Sequence, residues 1–433
     1  MSEWKKVKIG DVCKIVKGTT GIACAEPGKY PLVVTAVERK TCSTYQFDCE
    51  AVCIPLVSSS GHGKKSLNNV HFQSGKFALG TILCAVIPNN PDELDARYLH
   101  QYLQFYKDTV LVPLMKGAAN VSLSMKDIAG VEVPLPPIEK QRELSAMFVS
   151  LQEKSLEFKK ETDKQVEYVK LLRQSILQNA IEGKLTEDWR KQHPVQKGDP
   201  DYDAEALFDK IQAENSETKS SKKTVAPITK DEIPFEITTG WKWVRLGEIC
   251  EGFMYGTSAK SLPSGKCPVL RMGNIQNGKI DWEKLVYTNN DEEIEKYLLK
   301  QYDLLFNRTN SREMVGKTAI FESTRKTIYA GYLVRFRPIN SNPYFVNIVL
   351  NSKTHREWCN EVKTDALGQS NINAEKLKNF ITPLPPLAEQ KEIVARVEQH
   401  LQTITQLETQ IATRETTTKQ LMQSILKNAF EEK

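Results

Sequence analysis

Two short stretches of the sequence carry residues that could bind a nucleotide phosphate. The segment GKT (316–318) resembles the end of a P-loop, in which lysine contacts phosphates and a Ser or Thr hydroxyl binds magnesium. A P-loop also needs a glycine five positions before Gly316, and Ser311 stands there. The segment SSSGHGKK (58–65) places Lys65 where Ser or Thr is required. Both stretches therefore fail as nucleotide sites.

Two further stretches approach the N/D-P-P-Y/F motif of adenine methyltransferases. They are NPY (342–344) and DPDY (199–202), and each lacks the second adjacent proline. No glycine-rich loop follows a predicted strand, so nothing in the sequence supports a pocket for S-adenosylmethionine or a dinucleotide. The sequence thus predicts a chain without a catalytic site of its own.

The nine cysteines and six histidines show no metal-ligand spacing. The cysteines occur singly without a C-x-x-C pair, and their odd number fits reduced thiols in a reducing compartment. No H-x-x-x-H pattern occurs. A zinc site is an alternative at Cys42, Cys49 and Cys53, which lie near His62 in the sequence. We nevertheless expect the chain to bind no metal.

The two failed P-loops have a second interpretation. Each follows a hydrophobic strand, and each offers Ser, Asn, Arg, His or Lys side chains that could donate to base edges and phosphates. The alternative is an ordinary solvated hairpin loop. The residues expected to contact DNA are Arg39, Lys40, Ser59, Ser60, His62, Lys64 and Lys65 in the first half of the chain, and Arg271, Asn274, Arg308, Thr309, Asn310, Arg312 and Lys317 in the second half.

The loops belong to an internally duplicated sequence, whose repeated scaffold would position them. The LPP triplets at 135–137 and 384–386 lie 249 residues apart, as do Gln141 and Gln390 and the QSIL segments at 174–177 and 423–426. The opening pattern W-x-x-V-[KR]-[IL]-G-[DE]-[VI]-C occurs at residues 4–13 and again at 241–250. Each half therefore has an opening, a variable body and a proline-led helix, which predicts one scaffold used twice.

The proline-led segments read as long helices that pair with each other. Apolar residues recur in steps of four and three, which is the pattern of a coiled-coil seam. Forty-odd residues at about 1.5 Å each give a rod of roughly 60 Å, and equal lengths favour antiparallel pairing. The predicted seam comprises Leu144, Phe148, Leu151, Phe158, Val169, Leu172 and Ile176 in the first helix and Ile393, Val397, Ile404, Leu407, Ile411, Leu421 and Ile425 in the second.

The bodies between these segments read as mixed α/β domains, mostly antiparallel. Strands are predicted at YPLVVTAV, EAVCIPLV and FALGTILCAVI in the first body and at CPVLRMGNI, YDLLFNR, GKTAIFES and TIYAGYLVRFRPI in the second. A helix is predicted after the strands, at 95–106 and near 343–352. The predicted divisions are 1–134 (first domain), 135–182 (first helix), 183–240 (linker), 241–383 (second domain) and 384–433 (second helix), an α+β chain with a pseudo-two-fold repeat.

Composition is ordinary for a globular protein, whereas the distribution of charge is not even. The 433 residues are 40% hydrophobic and 26% charged, with a net charge of +5. Residues 1–135 carry +3 and residues 241–383 carry +6, which leaves −4 for the helices and linker. Positive charge confined to the two bodies suggests a polyanionic partner. No run of eighteen apolar residues and no signal-peptide core occur, so we expect a cytoplasmic chain without a membrane partner.

The order of these features resembles the specificity subunit of type I restriction-modification systems. That order is a variable domain, the PLPPIEKQ helix, a linker with GKLTEDW, the segment PFEI-x-x-GWKWVRLGEI, a second variable domain and a second PLPP-x-x-EQ helix. The resemblance covers essentially the whole chain. It departs from the repeated pattern at Lys140, where the second copy has Glu389.

The resemblance implies two target-recognition domains held apart by two conserved helices in an antiparallel coiled coil. Each domain would read one half of a bipartite site on double-stranded DNA. The implied partners are two methyltransferase subunits and the restriction/translocase subunits, which would hold S-adenosylmethionine, ATP and Mg, so that this chain carries no cofactor. Two alternatives stay open: a coiled-coil scaffold without sequence-specific DNA binding, and an enzyme that fuses methyltransferase and recognition parts, which would need a cofactor domain.

Overall fold

The computed structural model of the chain describes residues 4–60, 63–218, 227–366 and 368–430. The predicted DNA-contacting residue His62 lies outside the described residues. The chain divides into two compact units. The first contains the described residues of 1–163 and 412–433, and the second contains those of 164–411. The division falls within both long helices, so each unit contains a part of each helix.

The first unit contains ten strands, three short helices, the beginning of one long helix and the end of the other. The strands are β1 (Lys6–Lys8), β2 (Cys13–Lys17), β3 (Tyr30–Val33), β4 (Lys40–Cys42), β5 (Phe47–Asp48), β6 (Ala51–Pro55), β7 (His71–Gln73), β8 (Lys76–Leu79), β9 (Leu83–Pro88) and β10 (Glu132–Pro134). The helices are α1 (Ile9–Val12), α2 (Ala96–Val110), α3 (Met125–Ala129) and α4 (Ile138–Ile181), with a 3-10 turn at Val112–Leu114.

The second unit repeats this set with additions. Its strands are β11 (Lys242–Arg245), β12 (Cys250–Tyr255), β13 (Cys267–Leu270), β14 (Ile275–Gln276), β15 (Lys279–Ile280), β16 (Val286–Thr288), β17 (Leu304–Asn307), β18 (Thr309–Asn310), β19 (Thr318–Ile320), β20 (Ile328–Tyr329), β21 (Leu333–Pro338), β22 (Thr364–Ala366), β23 (Gln369–Asn371) and β24 (Ile381–Leu384). Its helices are α5 (Glu187–Gln192), α6 (Ala204–Thr218), α7 (Leu246–Ile249), α8 (Asp291–Tyr297), α9 (Pro343–Val349), α10 (Lys353–Val362), α11 (Ala374–Lys378) and α12 (Leu387–Phe430), with 3-10 turns at Lys184–Thr186, Lys230–Glu232 and Met272–Asn274.

The sheets of the two units share one topology. A four-stranded antiparallel sheet has the order β2-β9-β6-β7 in the first unit and β12-β21-β17-β19 in the second. A second sheet contains β4-β3-β8 in the first unit and β16-β13-β20 in the second, each with one parallel pair. The two-stranded pairs β1-β10 and β11-β24 bring the opening pattern beside the segment before the proline-led helix. The internal repeat predicted from the sequence is therefore present in the fold.

Each central strand is apolar because both of its faces are covered. All five residues of β6 are buried, and so are the four residues of β17. On one face of β6, side chains such as Cys53 pack with Phe77 and Leu79 of the second sheet. On the other face, Val52 and Ile54 pack in the same cluster as the buried residues of α2. A strand buried on both faces reads as a continuous apolar run rather than an alternation.

The repeated glutamines after the PLPP segments join the same elements in both units. Gln141 Oε1 accepts from the backbone N–H of Asp95 at 2.8 Å, and Asp95 is the N-cap of α2. Gln390 Oε1 accepts from the N–H of Asn342, the N-cap of α9, at 2.8 Å. The Nε2 group of Gln390 donates to Pro385 O at 2.9 Å, as that of Gln141 donates to Pro136 O at 2.8 Å. Both glutamines are 0% exposed.

We expect Gln390→Ala to lower the free energy of unfolding of the second unit by about 2–4 kcal/mol, because buried backbone groups would lose their partners. Urea titration followed by tryptophan fluorescence measures this, since five of the six tryptophans lie in that unit. Gln402→Ala changes an exposed residue of the same helix and is the matched control. Equal midpoints for the two variants would contradict the role that we assign to Gln390.

The long helices contact each other in an antiparallel sense within each unit. In the first unit, Leu144 and Phe148 from the beginning of α4 share a core with Leu426 and Phe430 from the end of α12. In the second unit, residues from the end of α4 share a core with residues from the beginning of α12, as Ile176 does with Val397. Arg173 donates to Glu408 at 3.2 Å in that unit.

Three residues of the predicted seam are exposed, so the seam prediction is wrong at these positions. Leu172 is 45% exposed, Leu407 37% and Leu421 59%. A straight helix advances 3.6 residues per turn, so a stripe predicted from a 3.5-residue repeat drifts from the contacting face. In α4 the inward position moves to Arg173, whose partner Glu408 lies next to Leu407, and in α12 it moves to the half-buried Met422.

Candidate nucleic-acid interface

The two polar loops leave equivalent strands in the two units. Loop 1 (residues 56–70) connects β6 to β7, and loop 2 (residues 308–317) connects β17 to β19. β6 and β17 occupy the same position in their four-stranded sheets. Because the paired strands are antiparallel, each loop leaves and re-enters the sheet at the same end of the strands. A buried strand thus holds each loop at its base.

Loop 1 is shaped by its own serines and by a neighbouring segment. Ser58 Oγ donates to Lys64 O at 2.5 Å, the Ser60 and Ser66 hydroxyls lie 2.7 Å apart, and Ser59 Oγ accepts from Asn68 N at 3.0 Å. The loop backbone pairs with residues 119–122, as in the 3.0 Å bond from Ser58 N to Val121 O. The predicted contacts Lys64 and Lys65 are both exposed on this loop.

The predicted contacts Arg39 and Lys40 lie outside loop 1. The Arg39 guanidinium donates to Gln73 Oε1 at 3.0 Å and to the Phe72 carbonyl at 3.2 Å, so it ties its own segment to β7. Burial lowers the pKa of Arg39 from its ordinary value. Burial beside Arg39 also lowers the pKa of His71, to about 4. Lys40 begins β4 and is exposed.

Loop 2 fixes one arginine in a defined geometry. The Arg308 guanidinium lies 4.5 Å above the ring centroid of Tyr255, the last residue of β12. Its Nη2 donates to Asn371 Oδ1 at 3.3 Å, and Asn371 Nδ2 donates to Thr309 Oγ1 at 2.8 Å. β18 begins at Thr309 and pairs with β23 in a three-stranded sheet with β22. Loop 2 is therefore braced by the hairpin of β22 and β23.

The remaining predicted contacts of loop 2 have different surroundings. The Arg312 side chain is 73% exposed, with its Nε 3.8 Å from Asp365. Lys317 is half-buried, and its Nζ donates to Gln276 Oε1 at 2.9 Å. Burial, together with the nearby charge of Arg356, lowers the pKa of Lys317. Arg312 is open to a ligand, whereas Lys317 mainly joins loop 2 to β14.

Arg271 and Asn274 lie on a separate turn. Arg271 is exposed and donates from Nη2 to Lys284 O at 3.4 Å. Asn274 is 4% exposed; its Oδ1 accepts from Arg271 N, and its Nδ2 donates to the carbonyls of Asp281 and Glu283 at 2.9 and 3.0 Å. All its hydrogen bonds therefore serve the turn itself.

Sequence reasoning missed the two segments that brace the loops. Residues 116–122 pair with loop 1, and residues 364–371 pair with loop 2. The sequence did contain a signal for them, because the offset of 249 residues between the two copies already applies in these segments. Ser124 and Asn373 are the N-caps of α3 and α11, and both lie upstream of the PLPP segments. Extending the repeat in the N-terminal direction would have found both segments.

The catalytic-like stretches have structural roles. Asn342 caps α9, with its side chain accepting from Tyr344 N. The carbonyls of Pro200 and Asp201 accept from the N–H groups of residues 387 and 388, so the DPDY stretch caps α12. Gly316 has φ of +91°, and a Cβ there would meet the Cys359 sulfur. These stretches resemble active-site motifs because tight caps and turns use the same residue types.

Among the residues that the structure describes, no group of three or more His, Cys, Asp or Glu side chains could hold a metal ion. Within the same residues, no helix is both long enough and apolar enough to cross a membrane.

Curated relatives are specificity subunits of type I restriction enzymes. The EcoKI subunit of Escherichia coli K12 is 27% identical over 307 residues, which are 69% of this chain and 57% of that protein. The EcoAI subunit of Escherichia coli is 29% identical over 252 residues, 55% of this chain and 41% of that protein. The chain thus spans about half the length of these relatives.

Solved structures share the fold. A chain from a structure on complex assembly and conformational transition of the type I R-M system aligns over 100% of this chain and 98% of its own, with TM-score 0.66 and 18% identity. The HsdS subunit from Thermoanaerobacter tengcongensis aligns over 99% and 97%, with TM-score 0.55 and 18% identity. These matches confirm the predicted fold class, two mixed α/β domains with two long helices.

One protein family accounts for both halves of the chain. The type I restriction modification DNA specificity domain matches residues 1–168 and again residues 238–414. The two matches include both units' sheets and both braced loops. The chain therefore belongs to the family of type I restriction-modification DNA specificity proteins.

Proposed function

We propose that the chain is the non-catalytic DNA-reading subunit of a type I restriction-modification complex. The observation that carries this proposal is the pair of braced polar loops on equivalent strands of a repeated fold. A repeat that keeps the frame and changes the loop side chains suits one task performed on two different sequences. Membership in a family of DNA specificity domains supports the same assignment.

Each domain reads one half of a bipartite site, with residues 1–134 and 241–383 as the two readers. The proposed contacts on loop 1 are Ser59, Ser60, His62, Lys64 and Lys65. Lys40, which is exposed at the start of β4, is a further proposed contact outside the loop. Those on loop 2 are Arg308, Thr309, Asn310 and Arg312. The exposed lysines and Arg312 suit phosphates, which fix register without reading sequence. Arg39, Asn274 and Lys317 shape the interface from behind it, because their polar groups are already hydrogen-bonded within the chain.

The partners bind along the outward faces of the long helices. In α4, apolar side chains remain exposed outside the helix contact: Val149, Leu156, Val166, Tyr168 and Leu171 are all more than 40% exposed. We propose that these side chains contribute to a protein interface, since contiguous exposed apolar surface marks such interfaces. We assign this surface to two methyltransferase subunits, with restriction/translocase subunits completing the complex and with S-adenosylmethionine, ATP and Mg held by those partners. Adenine is the methylated base.

A scaffold without DNA binding is the second candidate, and the exposed apolar residues of α4 would suit it equally. The braced loops separate the two candidates. A scaffold has no need for Arg308 to be held beside Tyr255 and Asn371, or for lysines on loop 1 to remain exposed.

The first test uses the pure chain and then the chain with its purified methyltransferase partner. We expect no methyl transfer by the chain alone. With the partner, we expect sequence-selective binding whose affinity falls steeply with salt, since each neutralised phosphate releases counterions. Fluorescence anisotropy on duplexes with and without the cognate site measures this, and tritiated S-adenosylmethionine measures methyl transfer. Methylation by the chain without a partner, or affinity independent of sequence, would overturn the proposal.

A further inference from the structure

We infer that Arg308 reads a guanine in the half-site of the second domain, with Tyr255 and Asn371 as its positioning residues. This inference rests on the proposed function and adds to it one base at one half-site. Arginine donors pair with the O6 and N7 acceptors that guanine presents in the major groove.

The Arg308 side chain is held in place by its neighbours within the second domain. Its guanidinium lies 4.5 Å from the Tyr255 centroid and is bonded to Asn371 Oδ1 at 3.3 Å. Tyr255 is itself fixed, since its hydroxyl accepts from Ala374 N at 3.0 Å. An arginine that only neutralises phosphate needs no fixed plane, whereas base readout needs a defined direction. Ordering the side chain before binding also removes an entropy cost from the complex.

The surroundings of Arg308 determine which of its donors a base can reach. Arg308 Nε is buried and has no hydrogen-bond partner among the described residues. A base therefore approaches end-on, through Nη1 and Nη2, and meets the planar pair of donors that suits guanine. Tyr255 is 40% exposed and Tyr332, whose carbonyl accepts from Arg308 N, is 48% exposed. The open ring of Tyr255 thus lies beside the guanidinium.

The first domain lacks this arrangement of side chains. The residue after the central strand is Leu56 there, in the place of Arg308. The last residue of β2 is Lys17, in the place of Tyr255, and Ser122 stands in the place of Asn371. The frame is the same, but none of the three polar or aromatic groups is retained. A guanine contact through this position is therefore expected in the half-site of the second domain only.

The test compares Arg308→Lys and Arg308→Ala with the intact chain in its complex, on duplexes substituted one base pair at a time. Lysine keeps the charge but lacks the planar donor pair. We expect Arg308→Lys to keep the salt dependence of binding while losing roughly 10- to 100-fold discrimination at one G·C pair. Arg308→Ala should lose the same discrimination and also reduce the salt slope.

Asn371→Ala should relax discrimination at the same base pair to a smaller degree, because Arg308 would lose one of its two supports. Arg325→Ala is the charge-matched control, since Arg325 is exposed on the turn at the opposite end of β19 from loop 2. It should leave the recognised sequence unchanged.

The outcomes separate this inference from the proposed function. If the intact complex shows no sequence-selective binding, the proposed function fails. If it binds selectively and both Arg308 variants keep every base preference, the assignment of Arg308 is wrong and the proposed function stands. Relaxation at a base pair of the first half-site would also overturn the inference.

Discussion

A complex whose long helices are each shortened by one heptad should prefer a DNA site with a shorter spacer between its half-sites. Deleting 156–162 from α4 and 405–411 from α12 removes one whole seven-residue period from each helix. Seven helical residues are about 10 Å, which is about 3 bp at 3.4 Å per step. Each domain should still read its own half-site, because none of its residues has changed.

The expected loss of affinity is large even at the best spacer, since 3 bp also rotates one half-site around the DNA axis. Deleting the heptad from only one helix should be worse. α4 and α12 have 44 residues each, and a single deletion removes that equality. Methylation of a library of sites with graded spacers measures both effects. An unchanged spacer preference in the double deletion would mean that the helices do not set the distance between half-sites.

Replacing the first body alone, residues 14–131, with the corresponding body of another family member should change one half-site completely. The second half-site should stay as it was, because the core beneath loop 2 contains no residue of the first body. The exchange keeps β1 and β10, which pair with each other, and the PLPP segment with Gln141.

The reciprocal exchange of residues 251–380 is the matched control, and it should change only the other half-site. Sequencing of methylated sites in both chimaeras measures this. New bases in both half-sites after a single exchange would show that the bodies are energetically coupled, contrary to two independent cores.

The sequence predicted the repeated frame because the repeat is fixed by buried contacts. Gln141 and Gln390 recur at the same distance from PLPP since each must reach the N-cap of a helix in its own unit. The strand predictions at β6 and β17 succeeded for a similar reason: both strands are buried on both faces, so the runs AVCIP and LLF are continuously apolar. The predicted strands FALGTILCAVI and TIYAGYLVRFRPI are each divided by a turn, into β8 and β9 and into β20 and β21.

The parts that the sequence did not predict depend on tertiary contacts. Asn274 is of a residue type that can contact DNA bases. Its amide instead closes a turn, because it donates to backbone carbonyls seven and nine residues further along the chain. Tyr255 lies far from Arg308 in the sequence, and only the sheet brings the two side chains together. The seam shift at Leu172 follows from a helical drift that a strict heptad ignores.

We propose that this chain decides where its partners methylate DNA. Mapping methylated adenines across the genome of cells that carry the complete system, with and without this chain, tests the claim most directly. We predict one asymmetric methylated motif, in which two unlike sequence elements flank a spacer that is not read. The motif should be present only in cells with the chain. One of its two elements should require a guanine, and the Arg308→Lys variant should relax that requirement. The same methylated motif in cells without the chain would contradict the claim.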